Sequence, residues 1–185
     1  NLPSFYKINL YNEINKHCKL LVIYTWDHSH GRNEDFYNGA MQFEHIHLKD
    51  RGFKRIIQIS KILISTKYRE LILSGWDSMP LWVGAFISAK RKNAVVVESS
   101  YLESTTSGLK GFIKRIFISR ISKVYASGKS QKELVDRLGY KGDTIITKGV
   151  GIFNYIKQPA YIERGQVTKF IYVGRLTAVK NLRFL

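Results

Sequence analysis

The chain has 185 residues, and its 44% hydrophobic and 13% aromatic content suffices for a buried core, which excludes a globally disordered chain. Thirty Lys and Arg against 14 Asp and Glu give a net charge of +16, which favours an anionic partner: nucleic acid, anionic lipid or a phosphorylated small molecule. Cys18 is the only cysteine, which excludes an intrachain disulfide and a cysteine-based zinc site, and no run approaches the ~18 apolar residues of a transmembrane helix.

The spacing of apolar residues predicts helices and strands in alternation. Ser4 and Ser130 are predicted helix caps; Ser130 would form a capping box with Glu133, and Gly139 would end that helix. In chain order, the predicted elements are a helix over 5–14, a strand over 19–26, a short strand over 44–48, a helix over 52–66, a strand over 69–76, a helix over 79–91, a strand over 93–100, a helix over 109–122, a strand over 123–128, a helix over 131–138 and a strand over 143–149.

Strands that alternate with helices indicate an α/β fold with a Rossmann-like, doubly wound parallel sheet covered on both faces. In such sheets ligands bind at the carboxyl ends of the strands, at a switch in strand order. The segments that follow strands are therefore the candidates for a site. They are WDHSH (26–30), GWDSMP (75–80), ESSYLESTTSG (98–108), SGKS (127–130), KGVGIFN (148–154) and GRLTAVKN (174–181).

The last of these segments has the pattern of a phosphate-binding turn. Gly174 follows an apolar strand, where it lets backbone amides approach an anion, and the helix after it adds partial positive charge. Arg175 suits bidentate contact with a phosphate, and Lys180 supplies a point charge. On spacing alone, a turn with two solvated basic residues explains the segment equally well.

Four segments together resemble the retaining, nucleotide-sugar-dependent glycosyltransferases of the GT-B fold (glycosyl transferases group 1, family 4-like). YVGRLTAVKNLRFL is similar to the opening of that family's second domain: an apolar strand, G-R-L, a short gap, K-N and a leucine-rich helix. ISKVYASGKSQKELVDRLGY is similar to a strand and helix of the first domain, ITKGVGIFN to the end of that domain, and LPSFYKINLYNEI to the helix after its first strand. The resemblance covers nearly the whole chain.

The resemblance implies an acceptor-side Rossmann-like domain over 1–158 that lacks its first strand, a linker over 159–166, and the truncated start of a donor-binding domain over 167–185. It implies that the full-length protein transfers a sugar, with retention, from a nucleoside-diphosphate sugar to a glycan or lipid-linked acceptor in polysaccharide, capsule or lipopolysaccharide biosynthesis. It implies neither cofactor nor metal ion, and a fragment that is inactive alone. The expected location is cytoplasmic, peripheral on the inner face of the membrane.

The resemblance also implies roles for individual residues. Gly174, Arg175 and Lys180 would bind the donor diphosphate, and the two cations would stabilise the departing nucleoside diphosphate. Glu98 would be the catalytic candidate, because it could orient a hydroxyl; the alternative is that it is an ordinary polar residue at the end of a strand. Trp76 is equally well explained as a buried residue that fills a local gap in the loop. The residues expected on the acceptor side are Pro3, Trp76, Asp77, Ser99 and Tyr101.

Two segments present side chains of metal-ligand type. Asp27, His28 and His30 follow a strand, and His45 and His47 alternate along another. A polar loop and a solvated strand edge explain these two patterns, so we predict no metal site.

The predicted helix within 108–123 is amphipathic and basic. Such a helix can lie on an anionic membrane surface, but a doubly wound fold also needs its apolar face against the sheet. There are two rival functions: a noncatalytic membrane-associated domain and a nucleic-acid-binding module. Nucleic acid is not an expected partner, because most aromatic residues fall in predicted core segments and would not be exposed for stacking on bases. The apolar residues of this helix are Leu109, Phe112, Ile113, Ile116, Phe117 and Ile121, and the basic ones are Lys110, Lys114, Arg115, Arg120 and Lys123.

Overall fold

The computed structural model describes residues 2–25, 34–147 and residue 172. The chain divides into two units, Asn1–Ile152 and Phe153–Leu185, and the described residues other than Tyr172 lie in the first. The predicted domain boundaries at 158 and 167 lie outside the described residues and stay predictions. The elements are α1 (Phe5–Asn15), β1 (Leu21–Tyr24), β2 (Glu44–His47), α2 (Gly52–Ser65), β3 (Leu71–Leu73), α3 (Met79–Ile87), β4 (Asn93–Val97), α4 (Gly108–Ser119), β5 (Lys123–Ala126), α5 (Lys129–Arg137) and β6 (Asp143–Ile146), with short 3-10 helices at Glu34–Tyr37 and Lys90–Lys92.

All described strands are parallel, so the predicted α/β fold with parallel strands is confirmed. Strands β3, β4, β5 and β6 form one sheet in that order, and β1 pairs with β2 in a second sheet. In the four-stranded sheet, an α-helix lies in the segment that joins each strand to the next. Strands β1 and β2 are joined by 25–43, and the described part of that segment contains the 3-10 helix Glu34–Tyr37. No hydrogen-bonded ladder joins β1 to β3 within the described ranges.

The main core lies between the four-stranded sheet and one layer of helices. Val95 of β4 and Val124 of β5 are fully buried against α3, α4 and α5, whose contributions include Ala85, Phe117 and Leu134. Parallel strands between packed helices are expected to be continuous apolar runs, as in NAVVV, because both sides need cover.

The opposite face of the same sheet is less covered. Ile72 and Ile145 belong to it by register, since Ile72 pairs with Ala94 and Tyr125 pairs with Ile145. Both isoleucines are about half exposed, at 51% and 46%. Ala94, which pairs with Ile72, is fully buried on the same face, so the exposure lies on the outer strands β3 and β6.

Helix α2 packs against strands of both sheets. Its buried Ile59 and Leu63 form a cluster with Leu48, against which Ile23 of β1 and Leu71 of β3 pack. On the other face of β1, Ile8 of α1 packs with Val22 and Tyr24. Strand β1 is thus covered on both faces.

Two predicted helix ends differ from the structure. Helix α5 starts at Lys129 with Gly128 as its N-cap, so Ser130 and Glu133 lie inside the helix and cannot form the predicted capping box. Glu133 instead pairs with Arg137, with 2.6 Å between Oε1 and Nη2. Helix α3 ends at Ile87 rather than at 91. The Asn93 side chain donates a hydrogen bond to the carbonyl of Ala85, in the last turn of α3.

The predicted end of α5 is confirmed. Gly139 follows the helix with φ +84°, in the left-handed region that favours glycine, and its N–H donates to the Asp136 carbonyl at 2.9 Å. Within the described residues, no helix is long and apolar enough to cross a membrane.

Candidate functional site

An open pocket of about 390 Å³ lies at the carboxyl ends of β1, β3 and β4. Thr25, Ser74 and Glu98 directly follow these three strands. Because parallel strands all present their carboxyl ends at one edge, residues far apart in sequence meet there, as in other open α/β sheets. The lining residues are Leu2, Ser4, Tyr6, Lys7, Thr25, Phe36, Ser74, Asp77, Ser78, Leu81 and Glu98.

The N-terminus of α1 forms one wall. Ser4 is the N-cap and is almost completely buried, yet its side chain makes no capping hydrogen bond. Its hydroxyl has no hydrogen-bond partner within the described part of the chain. Helix α1 has no acidic residue in its first turn, so the partial positive charge of its N-terminus is not neutralised locally.

The N-terminus of α3 forms a second wall. Gly75 has φ +137°, a conformation that other residues rarely adopt, and it turns the chain from β3 towards α3. Asp77 and the N-cap Ser78 follow that turn and line the pocket, and the Ser78 side chain makes no capping hydrogen bond. A second helix N-terminus therefore opens at the same pocket.

An ion pair crosses the pocket between α1 and β4. Lys7 Nζ lies 3.5 Å from Glu98 Oε1, with the Lys7 side chain mostly buried and the Glu98 side chain mostly exposed. A solvent-accessible pair of this kind contributes little to stability, so both groups can exchange their partner for a ligand at small cost.

The chemistry of this lining suits a neutral ligand with many hydroxyl groups. The carboxylates of Asp77 and Glu98 accept hydrogen bonds, the Lys7 ammonium donates them, and the hydroxyls of Ser4, Ser74 and Ser78 are of a type that does both. Hydrogen bonds to charged groups are the stronger ones, so the two carboxylates would dominate the orientation of such a ligand.

The predicted residues Asp77 and Glu98 are brought together in this pocket. Trp76, predicted beside Asp77, packs instead against the main core, with its ring centroid 6.2 Å from that of Phe117. The Trp76 carbonyl accepts a hydrogen bond from Trp82 Nε1 at 2.9 Å. The alternative interpretation of Trp76 as a local plug describes its environment in this structure.

Three other predicted acceptor-side residues lie near the pocket in sequence but do not line it. Pro3 is buried between the lining residues Leu2 and Ser4. Ser99 is exposed next to Glu98. Tyr101 packs against the main core, and the guanidinium carbon of Arg137 lies 4.5 Å from the centre of its ring.

The remaining predicted residues are not tested by this geometry. Gly174, Arg175 and Lys180 lie outside the described residues and remain predictions. Asp27, His28 and His30 also lie outside them.

The rings of His45 and His47 lie 5.5 Å apart on β2. Within the described ranges, however, His, Cys, Asp and Glu side chains do not form a group of three that could hold a metal ion.

Sequence reasoning missed Lys7, Thr25 and Ser74. Lys7 lies in the first turn of the predicted helix over 5–14, and no local pattern connects it to Glu98, 91 residues later. The one usable signal was positional, because Thr25 and Ser74 each lie near the carboxyl end of a predicted strand, over 19–26 and 69–76.

Comparison with known proteins found no matching family model, no matching curated protein and no matching solved structure.

Proposed function

We propose that this chain belongs to a retaining glycosyltransferase of the GT-B type and contributes the side that binds the acceptor. The observation that carries the proposal is the pocket at the carboxyl ends of β1, β3 and β4, which combines Asp77, Glu98 and Lys7 with several hydroxyls. The parallel sheets and the resemblance of the segments that end in GRLTAVKN support it.

In the proposed reaction, the pocket residues hold the acceptor. Glu98 accepts a hydrogen bond from the reacting hydroxyl and orients it, and Asp77 holds a neighbouring hydroxyl. Lys7, whose Nζ lies 3.5 Å from Glu98 Oε1, helps to hold that carboxylate in position. These residues position the acceptor; the resemblance does not identify a protein nucleophile.

The donor side rests on the sequence alone. Arg175 and Lys180 bind the two phosphates of the sugar nucleotide and stabilise the negative charge that develops on the departing nucleoside diphosphate. Binding and leaving-group catalysis then coincide in the same two cations.

The decisive experiment is a screen of nucleoside-diphosphate sugars with the full-length protein, scored by release of nucleoside diphosphate. Arg175→Ala and Lys180→Ala should each reduce turnover by about 100-fold, since each removes a charge that acts mainly in the transition state. Lys169→Ala removes a basic residue of the same segment outside the motif and should leave turnover within about twofold. Unchanged turnover in both motif variants would exclude the diphosphate assignment.

The acceptor pocket is tested separately. Glu98→Gln and Asp77→Asn should raise the KM for the acceptor by about tenfold and leave the KM for the donor unchanged, because each replaces a charged hydrogen-bond acceptor by a neutral one. Glu133→Gln, on α5, is the matched control and should change neither constant. A rise in the donor KM alone would show that this pocket does not bind the acceptor.

A further inference from the structure

Helix α4 carries a row of apolar side chains that point to solvent. Leu109, Phe112, Ile113 and Ile116 are 75%, 57%, 42% and 37% exposed. Their spacing of three and four residues places them side by side along one face, here called the α4 stripe. The residues that α4 buries are Gly111, Phe117 and Ile118, which lie on a different face. The amphipathic pattern in the sequence is therefore divided between the core and the surface.

The neighbouring helix extends this apolar surface. Phe86 of α3 is about half exposed and stacks on Trp82 with 6.2 Å between ring centroids and an interplanar angle of 9°. The guanidinium carbon of Arg120, the C-cap of α4, lies 5.3 Å from the centre of the Phe86 ring. Phe86 therefore lies at the C-terminal end of α4, where Arg120 adds a positive charge.

Basic residues border the α4 stripe. Lys110 and Arg115 lie on either side of it around the helix. Arg115 also lines a second pocket, of about 620 Å³, together with Lys90 and Lys141. The lining of this second pocket includes no acidic residue. Three positive charges at one concave surface next to the stripe attract anionic groups.

We propose that the α4 stripe docks this protein on a membrane surface that contains anionic phospholipids. In this arrangement α4 lies in the plane of the interface, the α4 stripe enters the boundary between headgroups and acyl chains, and Lys90, Arg115 and Lys141 contact lipid phosphates. An apolar row on a soluble chain is otherwise costly, and its border of cations matches an anionic interface in both polarity and charge.

The charge also favours a bilayer over a second copy of this chain. A symmetric dimer through the α4 stripe would bring the same cations of two molecules, each with net charge +16, close together. Such like-charge contact opposes association, whereas anionic lipids neutralise it.

The first experiment is flotation of the 185-residue chain with vesicles. Vesicles of phosphatidylglycerol and phosphatidylcholine should bind it at least about tenfold more tightly than pure phosphatidylcholine, because each basic residue near the surface adds to the attraction. Raising the salt from about 0.1 M to about 0.5 M should weaken that binding. Equal binding to both vesicles, or no binding to either, would overturn the proposal.

Paired variants locate the contact. Phe112→Ser with Ile116→Ser should reduce binding to the anionic vesicles by about tenfold or more. The matched control is Ile72→Ser with Ile145→Ser, whose side chains are 51% and 46% exposed on the outer strands β3 and β6. This control should bind within about twofold of the unmodified chain. Similar losses in the two pairs would place the contact elsewhere.

The contribution of the basic pocket is measured in the same way. Arg115→Ser with Lys141→Ser should lower affinity for anionic vesicles about tenfold, whereas Lys16→Ser with Lys19→Ser, which removes the same charge near the end of α1, should have a smaller effect. An equal effect of the two pairs would show that net charge alone attracts the chain and that the pocket does not bind lipid.

A spin label tests insertion without relying on loss of binding. Because Cys18 is the only cysteine, Cys18→Ser with Ile116→Cys gives a single labelling site. On anionic vesicles, the label should become more accessible to oxygen and less accessible to a nickel chelate, and a label at position 72 should not change. An unchanged label at 116, or a dimer in sedimentation equilibrium that Phe112→Ser and Ile116→Ser dissociate, would overturn membrane docking.

Discussion

Asn93 joins three elements through one fully buried side chain. Its Nδ2 donates to the carbonyl of Ala85 in α3 at 2.8 Å and to that of Arg120 after α4 at 2.9 Å. The backbone carbonyl of Asn93 accepts a hydrogen bond from Ser122 N at 2.9 Å. The ends of two helices and the start of β4 therefore depend on a single amide.

We expect Asn93→Ala to lower the free energy of unfolding by about 2 kcal/mol, because the Arg120 carbonyl loses its donor from Asn93 and the Ala85 carbonyl keeps only the longer hydrogen bond from Arg120 Nε, at 3.4 Å. Urea denaturation followed by circular dichroism measures this change. Asn12→Ala is the matched control: Asn12 also makes two side-chain hydrogen bonds, to Ala40 O and from Gln42 N, but at the surface. An equal loss in the two variants would contradict the role assigned to burial.

At the scale of elements, α4 is held against the loop that precedes it. Lys114 Nζ donates to Ser104 Oγ at 2.6 Å and to the Thr105 carbonyl at 2.8 Å. Burial, and to a smaller extent the nearby charge of Lys110, lowers the pKa of Lys114. Lys114 is therefore occupied inside the fold, and the cations that border the α4 stripe are other residues.

We expect Gly111→Ala to destabilise the protein by about 1–3 kcal/mol, although alanine normally favours a helix over glycine. The reason is local: a Cβ at position 111 would overlap the carbonyl group of Thr106, a backbone group that cannot rotate away. Thermal denaturation measures the effect.

Gly84→Ala in α3 is the control for Gly111→Ala. There, the nearest atom to a new Cβ is Leu73 Cδ2 at 3.2 Å, the end of a flexible side chain. The change should stay within about 1 kcal/mol in either direction. A stabilised Gly111→Ala variant would show that the loop does not pack on α4 as described.

At the scale of the whole molecule, the net charge of +16 opposes the compact state. The ion pairs of the described residues include Lys132–Asp136 at 2.7 Å and Arg137–Glu133 at 2.6 Å, both at the surface. Pairs of this kind contribute little, so they do not offset the repulsion among the excess cations.

We expect sodium chloride to raise the melting temperature by about 2–4 °C between about 0.02 M and about 0.2 M, because the Debye length then falls well below the spacing of the surface charges. Differential scanning fluorimetry across this range is sufficient. A melting temperature that falls over the same range would mean that attractive ion pairs outweigh the repulsion.

The helices and strands were largely predictable from the sequence because their apolar spacing is local. The run NAVVV became β4, and the helical spacing over 52–66 became α2. Helix ends were less predictable: Ser130 has the composition of a cap, but Gly128 takes that position. The position of a helix cap depends on where the preceding strand ends. Strand β5 ends at Ala126, which leaves Gly128 as the residue before the helix.

The candidate site was predictable only in part. Asp77 and Glu98 were found because they lie at the carboxyl ends of predicted strands, whereas Lys7 was not, since its distance from Glu98 depends on how α1 packs on β1. The donor residues Arg175 and Lys180 remain a prediction from the sequence.

The sequence by itself determined the alternation of helices and strands and therefore a parallel α/β fold, because periodicity and turn residues act over a few positions. Only the tertiary structure decided which part of the apolar arc of α4 is buried. Phe117 contacts Trp82, with ring centroids 5.1 Å apart, and this packing turns Phe112 and Ile116 to solvent. Helical spacing defines an arc of apolar residues, but only the neighbouring helix and sheet select the part that leaves water.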